Sequence, residues 1–297
     1  MKKLLSIVLA TVAAALSLQA QGVAFLNINP DASAAALAGT GIARPADAYA
    51  LENNLAAAAL GGPRMDVAVG YGRWQPQAAG VNLLSAAGYY RVADKLAIGL
   101  QFKDFAYPAY DIMSADGRVK GSFSPVEMAV GLGAAYQLAD GLSAGLSLRY
   151  VSSSLAEDGK GSAFGADLSL KYEKDGFQAG LAVNNLGTPV SYGGEKYGQP
   201  GIVRGGGAYS VAGLTASVEV DYLFSGALMA GLGLEYGIAD IVFLRGGFHY
   251  GDAAKTIPTY ASLGLGVKYA GVHLDVAFLT ASKTLGNSLM LGLGYSF

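Results

Sequence analysis

From Met65 to Phe297, apolar side chains recur at every second position along most of the chain. In the last stretch Leu289, Leu291, Leu293, Tyr295 and Phe297 share one parity, while Met290, Gly292, Gly294 and Ser296 share the other. Successive side chains of a strand point to opposite faces, so this pattern predicts a strand with one greasy and one small or polar side. Leu142, Ala144, Leu146, Leu148 and Tyr150 oppose Ser143, Gly145, Ser147 and Arg149 in the same way. So do Leu214, Ala216, Val218, Val220 and Tyr222 against Thr215, Ser217, Glu219 and Asp221. The alternation predicts fourteen strands, at 65–74, 80–90, 95–105, 126–138, 142–153, 162–174, 176–185, 201–211, 213–223, 227–237, 240–250, 259–270, 271–280 and 286–297. Most are long enough for a tilted strand to cross a bilayer.

A soluble sandwich also alternates, and the connections separate it from a barrel. Tight turns at Val92–Asp94, Ala139–Gly141, Asp175, Ala212, Ile238–Ala239 and Ala270–Gly271 alternate with mostly longer joins at 106–125, 154–161, 186–200 and 251–258. Short turns on one rim and longer loops on the other are the layout of a transmembrane barrel. Tyr90, Tyr136, Tyr172, Tyr209, Tyr236 and Tyr269 each precede a short turn, and Tyr295 precedes the C-terminus. Seven tyrosines at one rim read as an interfacial girdle, because the ring prefers the boundary of hydrocarbon and water. The expected fold is all-β: an antiparallel transmembrane barrel of about 14 strands, with the last strand pairing with 65–74 to close the wall.

Residues 1–20 read differently. Lys2 and Lys3 precede the apolar run Leu4–Leu16, and Ser17-Leu18-Gln19-Ala20 offers a cleavage site, so this is a secretory signal peptide rather than an anchor. Residues 21–62 are rich in Ala and Asn and lack a period of two. Pro30-Asp31 before Ala32–Ala38 and Gly39 predicts a short capped helix, and Pro45-Ala46-Asp47 the start of a second. Too small to fold alone, this segment is expected to pack against or inside the barrel of residues 63–297 as a plug. Charged residues are 14% of the chain and apolar ones 52%, which suits a chain that satisfies its backbone in lipid by closing a sheet. Taking Lys2 and Lys3 from the 20 basic residues leaves 18 against 22 acidic ones, a formal charge of −4 that points away from nucleic acid. With no cysteine there is no lipoprotein attachment, disulfide or thiolate metal site.

If the apolar parity faces lipid, the lumen receives Glu127, Arg149, Asp167, Lys171, Arg204, Glu219, Asp221, Glu235, Arg245, His249, Lys268, His273 and Asp275. Both signs are mixed, as in a self-compensating network rather than a selectivity filter of one sign. The two histidines fall at opposite rims and cannot share a site, so no enzyme activity and no cofactor or metal is expected. Gly205-Gly206-Gly207 reads as a bend or close approach within a strand. The loop 186–200 either faces a ligand or partner, or is a plain solvated loop.

The run Phe25-Leu26-Asn27-Ile28-Asn29-Pro30-Asp31, then Gly39-Thr40-Gly41-Ile42-Ala43, then Ala46-Asp47-Ala48, resembles the opening of the PorV/PorQ family. Within it Phe25, Leu26, Ile28, Pro30, Asp31, Gly39, Gly41, Asp47, Asn53 and Asn54 carry the likeness. Ser33 stands where the family has Arg, and Asn54-Leu55-Ala56 lacks the proline of the family's Asn-Pro-Ala. The resemblance implies a FadL-like barrel of fourteen strands, in agreement with the count from periodicity. It also implies an outer-membrane component of the type IX secretion system of Bacteroidetes-like bacteria, which binds partner proteins or cargo C-terminal domains. The alternative is a FadL-like passive transporter of small hydrophobic compounds. The last strand resembles the closing strand of bacterial outer-membrane barrels, which implies that Tyr295 and Phe297 form an assembly signal.

Overall fold

The computed structural model describes residues 22–297, so the expected signal peptide lies outside the described residues. Its strands are β1 (Met65–Trp74), β2 (Val81–Ala93), β3 (Leu96–Ala106), β4 (Tyr110–Met113), β5 (Val119–Phe123), β6 (Val126–Ala139), β7 (Leu142–Ser154), β8 (Lys160–Lys174) and β9 (Phe177–Gly187). There follow β10 (Val190–Tyr192), β11 (Glu195–Tyr197), β12 (Ile202–Val211), β13 (Leu214–Leu223), β14 (Leu228–Ile238), β15 (Val242–Gly251), β16 (Tyr260–Tyr269), β17 (Val272–Ser282) and β18 (Gly286–Ser296). Fourteen of these close an antiparallel barrel, while β4–β5 and β10–β11 are two-stranded hairpins carried on long loops.

β18 pairs with β1 from Asp66 opposite Ser296 to Arg73 opposite Leu289. Met65 and Phe297 extend the ladder by exchanging backbone hydrogen bonds of 2.8 and 2.9 Å. The tight turns at Asp175-Gly176, Ala212-Gly213 and Ala270-Gly271 hold both central residues at positive φ, which matches the right-handed twist of the flanking strands. Among the boundaries that move from the sequence expectation, two have a local cause. β2 runs on to Ala93 through an irregularity after Arg91, so its turn falls at Asp94-Lys95. The second plug helix begins at Ala50 rather than Pro45, because Asp47 first accepts the Tyr49 amide at 2.9 Å and caps the turn before it.

Parity divides the wall as the pattern predicts. Outward positions such as Val69, Leu100, Leu148, Phe164, Leu232 and Leu263 are exposed, and all seven rim tyrosines are on this face. Inward positions are buried by residues 22–62. A 3-10 turn (Ala24–Asn27), α1 (Ala32–Ala36), α2 (Ala50–Asn53) and a second 3-10 turn (Leu55–Ala59) fill the lumen. The segment starts at the long-loop rim, where the Gly22 amide donates to the Gly198 carbonyl at 2.9 Å. It leaves at the short-turn rim, where the Arg91 amide donates to the Arg64 carbonyl at 2.8 Å. The outer half of the lumen is apolar: Trp74, Val81, Leu83, Phe105, Val151, Leu279 and Met290 pack on Phe25 and Leu26. Glu127 and His249, two of the inward positions singled out from sequence, lie at the height of this apolar layer, opposite Phe105 and Tyr260 in the register.

Candidate functional site

The family-like motif folds into a knot of short polar contacts. Asp31 caps α1, accepting the Ser33 amide at 2.8 Å and the Ser33 hydroxyl at 2.7 Å. Its other oxygen accepts Asn53 Nδ2 at 2.8 Å, and Asn53 Oδ1 accepts Asn29 Nδ2 at 2.7 Å. Arg44 donates to the Ser33 hydroxyl at 2.7 Å and stands 3.5 Å from Asp31 and 3.6 Å from Asp47. Burial would lower the Arg44 pKa, but Asp31, Asp47, Glu235 and Asp275 outweigh it and hold the guanidinium above its ordinary range. Gly41 is required sterically, since a Cβ there would fall 2.2 Å from Asn53 Oδ1. Gly39 takes φ +84°, which ends α1 in the left-handed turn that glycine tolerates. Pro30 is buried beside this knot. Ile28 is half-buried and packs on the apolar cluster, and the Phe25 ring lies 5.3 Å from that of Phe105. Asn54 ties the motif to the wall: its Nδ2 donates to the Ile42 carbonyl at 2.8 Å and to the Leu170 carbonyl of β8 at 2.9 Å.

The wall meets the plug with charged groups. Arg204 binds Glu219 at 2.6 Å, stands 3.8 Å from Asp221, and donates to the Glu52 carbonyl at 3.1 Å. Glu219 in turn accepts the Ile42 amide at 2.8 Å. Arg149 pairs with Asp167 at 2.8 Å, and Asp167 accepts the Asn185 amide at 2.7 Å. Arg245 bridges Glu235, at 2.6 Å, and Asp275. Lys171 donates to the Arg44 carbonyl at 2.9 Å and to Gln178 at 2.8 Å. Glu127 stands apart from the cations. Its carboxylate accepts the Tyr107 hydroxyl at 2.7 Å and the Ser153 hydroxyl at 2.9 Å instead. His249 stacks on Tyr260 at 4.8 Å, whereas His273 binds Asp66 at 2.9 Å near the other rim, so the two are apart as expected.

Four charged groups missing from the sequence reading join this network: Arg44, described above, and Lys103, Glu52 and Asp66. Lys103 is 1% exposed, and its ammonium reaches Glu52 at 2.9 Å, the Leu26 carbonyl at 2.9 Å and the Ile28 carbonyl at 3.2 Å. Gln101 donates to the second Glu52 oxygen at 2.7 Å. Burial would raise the Glu52 pKa, but Lys103 and then Arg149 prevail and hold it below the ordinary glutamate value. Of the plug–wall ion pairs among the described residues, this one is more enclosed than Arg44–Glu235. Its signal in the sequence is the parity of Lys103, which matches that of Ala97 and Phe105 rather than that of Leu100.

Two cavities flank the plug. At the long-loop rim a cavity of about 330 Å³ is lined by Phe25, Trp74, Phe105, Tyr107, Met229 and Ile257. At the short-turn rim one of about 300 Å³ is lined by Asp31, Arg44, Asp47, Asp66, Arg245 and His273. Between them, beside Asn29, Arg204 and Asp221, the free space falls to about 70 Å³.

The family described as type IX secretion system protein PorV matches residues 14–214, which hold both the plug and the barrel strands through β12. The chain belongs to the PorV family. No curated protein matches it in sequence. Among solved structures, the Ralstonia pickettii toluene transporter TbuX is similar at 15% identity and TM-score 0.66, covering 91% of this chain and 99% of that one. The Pseudomonas putida toluene transporter TodX is similar at 12% identity and TM-score 0.61, with 88% and 95% covered. A Pseudomonas aeruginosa FadL homologue follows at 12% identity and TM-score 0.60, with 90% and 98% covered. At these identities the likeness shows the fold, a FadL-like outer-membrane barrel. In this PorV-family chain the motif residues hold the plug together and to the wall, so their geometric role is internal. Asn53 and Asn54 do this with Leu55 and Ala56 following them.

Proposed function

We propose that this protein works as an outer-membrane component of the type IX secretion system that binds partner proteins or cargo C-terminal domains at its outer rim, while its lumen stays closed. The observation that carries this reading is the attachment of the plug on every side. Wall contacts come from Ser85 to Tyr49, Lys103 to Glu52, Ser143 to Ala56, Arg204 to Glu52, Ser217 to Thr40 and Ser262 to Ala36. A lumen stitched in this way leaves the loops as the surface that meets another protein. The β4–β5 hairpin offers Tyr110, Met113 and Val119, exposed by 42%, 56% and 59%, beyond the barrel wall. Apolar side chains outside the lipid band mark a protein contact.

The test is affinity purification from native outer membranes, comparing the wild type with the double substitution Met113→Asp, Val119→Asp. The wild type is expected to bring down secretion-system proteins or a cargo C-terminal domain, and the variant to lose them. Recovery of neither by the wild type overturns the reading, and full recovery by the variant removes the hairpin from it. A second reading rests on the apolar outer cavity, which suits a small hydrophobic compound. Uptake of such a compound by cells expressing the wild type, above that of cells without it, would favour transport.

A further inference from the structure

The lipid-facing wall carries a groove along β2. Its outward positions run Leu84, Ala86, Gly88 and Tyr90, and the two middle ones are small. Register sets Val67 and Leu100 on either side of Gly88, Val69 and Phe102 beside Ala86, and Met65 and Ile98 beside Tyr90. Bulky banks on a small floor leave a furrow of about 480 Å³, which Val130 and Leu132 of β6 extend. The Gly88 floor is held open by the sheet itself, since a Cβ there would lie 2.9 Å from the Asp66 carbonyl oxygen. From Ala86 to Tyr90 the furrow runs about 13 Å, at roughly 3.3 Å per residue.

The end of the furrow toward the short turns is cationic. Tyr90 closes it, and the exposed Arg64 guanidinium sits 5.4 Å from the centre of that ring. Arg91, of the inward parity that Tyr89 has, holds its guanidinium beneath the same rim on the Gly62 and Pro63 carbonyls, the latter at 3.1 Å. Lys95 follows in the turn, with Asp94 as the acid beside it. Short turns mark the periplasmic rim of such barrels, so these cations stand at the headgroup level of the periplasmic leaflet. A void facing hydrocarbon forfeits the dispersion contacts of its walls, and the surrounding bilayer supplies acyl chains to restore them.

We propose that this groove holds an acyl chain of one anionic phospholipid of the periplasmic leaflet, with the lipid phosphate on Arg64. The apolar furrow takes the chain, and the charge at its end selects the headgroup. The site lies on the outside of the wall and does not depend on what the loops or lumen do.

Native mass spectrometry tests it, on wild-type protein released from bilayer discs of phosphatidylethanolamine containing phosphatidylglycerol. Retention of one phosphatidylglycerol per barrel, in preference to phosphatidylethanolamine, is expected. Arg64→Gln is expected to lower that preference about fivefold, the factor that roughly 1 kcal/mol for one cation near a charged surface represents. Ala86→Phe fills the furrow and is expected to abolish retention of both lipids while the barrel remains folded by heat-modifiable migration. Equal retention of the two lipids by the wild type, or undiminished retention by Arg64→Gln, overturns the proposal. So does a photo-crosslinker at position 86 that captures a protein and no lipid.

Discussion

At the scale of single residues, the Lys103–Glu52 pair tests how the plug is held. Both groups are more than nine-tenths buried, so removing one partner leaves a bare charge in a desolvated place. Glu52→Gln is expected to weaken plug attachment by about 3–5 kcal/mol. The double substitution Glu52→Leu, Lys103→Met is expected to recover most of that loss, because replacing a buried pair with apolar groups of similar size is often close to neutral. Trp74 is the sole tryptophan and lines the outer cavity with Phe25, so its fluorescence reports plug release during urea titration in detergent. A midpoint for Glu52→Gln equal to that of the wild type would show that the pair contributes nothing. This pair was the least legible part of the site in the sequence. On β3 both parities carry a charge, Lys103 inward and Asp104 outward, so the parity that places Lys103 in the lumen is a weak signal there. Its partner is 51 residues away in a segment without period, and only the threaded plug brings the two together.

At the scale of elements, the strands were legible and the plug was legible only in outline. Each barrel strand alternates between lipid and lumen, two environments different enough to write a period of two even in weak segments such as β12. There Gly205-Gly206-Gly207 interrupts the pattern. Gly206 is the position of close approach, because a Cβ would meet the Val218 carbonyl at 2.4 Å and the Ile42 side chain at 2.7 Å. The β4–β5 hairpin has no buried face to impose alternation, and β10–β11 buries Val190 with Tyr192 and Tyr197 packed beside it but is too short to show a period, so both fall within the long joins 106–125 and 186–200. The plug segment has Asp31 and Gly39 as local punctuation, so α1 was foreseen, while its path through the lumen depends on contacts more than a hundred residues apart, such as Asn54 to Leu170. Deletion of Ala24–Asn54 tests whether that path closes the barrel. Wild-type protein in planar bilayers is expected to show little conductance, and the deletion to show clear single-channel steps. Because Arg149, Arg204 and Arg245 alternate with Asp167, Glu219 and Asp275 on the bared wall, those steps should discriminate weakly between cations and anions. Unchanged conductance would mean that the plug does not seal the lumen.

At the scale of the whole molecule, closure joins the two ends of the barrel and frames the plug between them. β1 pairs with β18, and the plug, which immediately precedes β1 in sequence, lies inside the wall that this seam closes. The last rung of that seam is Met65 with Phe297, and the Tyr295 and Phe297 rings stand 5.5 Å apart on the lipid side. The backbone of Phe297 and its ring thus make separable contributions. Deleting Phe297 removes both the rung and the ring, whereas Phe297→Ala keeps the two backbone hydrogen bonds and removes only the ring. Phe297 is 58% exposed, so losing the ring costs the finished barrel little packing within the protein. If the ring is read during assembly, both variants are expected to reach the outer membrane in reduced amount, and the Phe297→Ala protein that does arrive should resist heat as the wild type does. If only the rung matters, the deletion alone should fall. Quantitative immunoblotting of outer-membrane fractions, with heat-modifiable migration on the same samples, separates these outcomes, and undiminished levels of both variants would remove the C-terminal residue from assembly altogether.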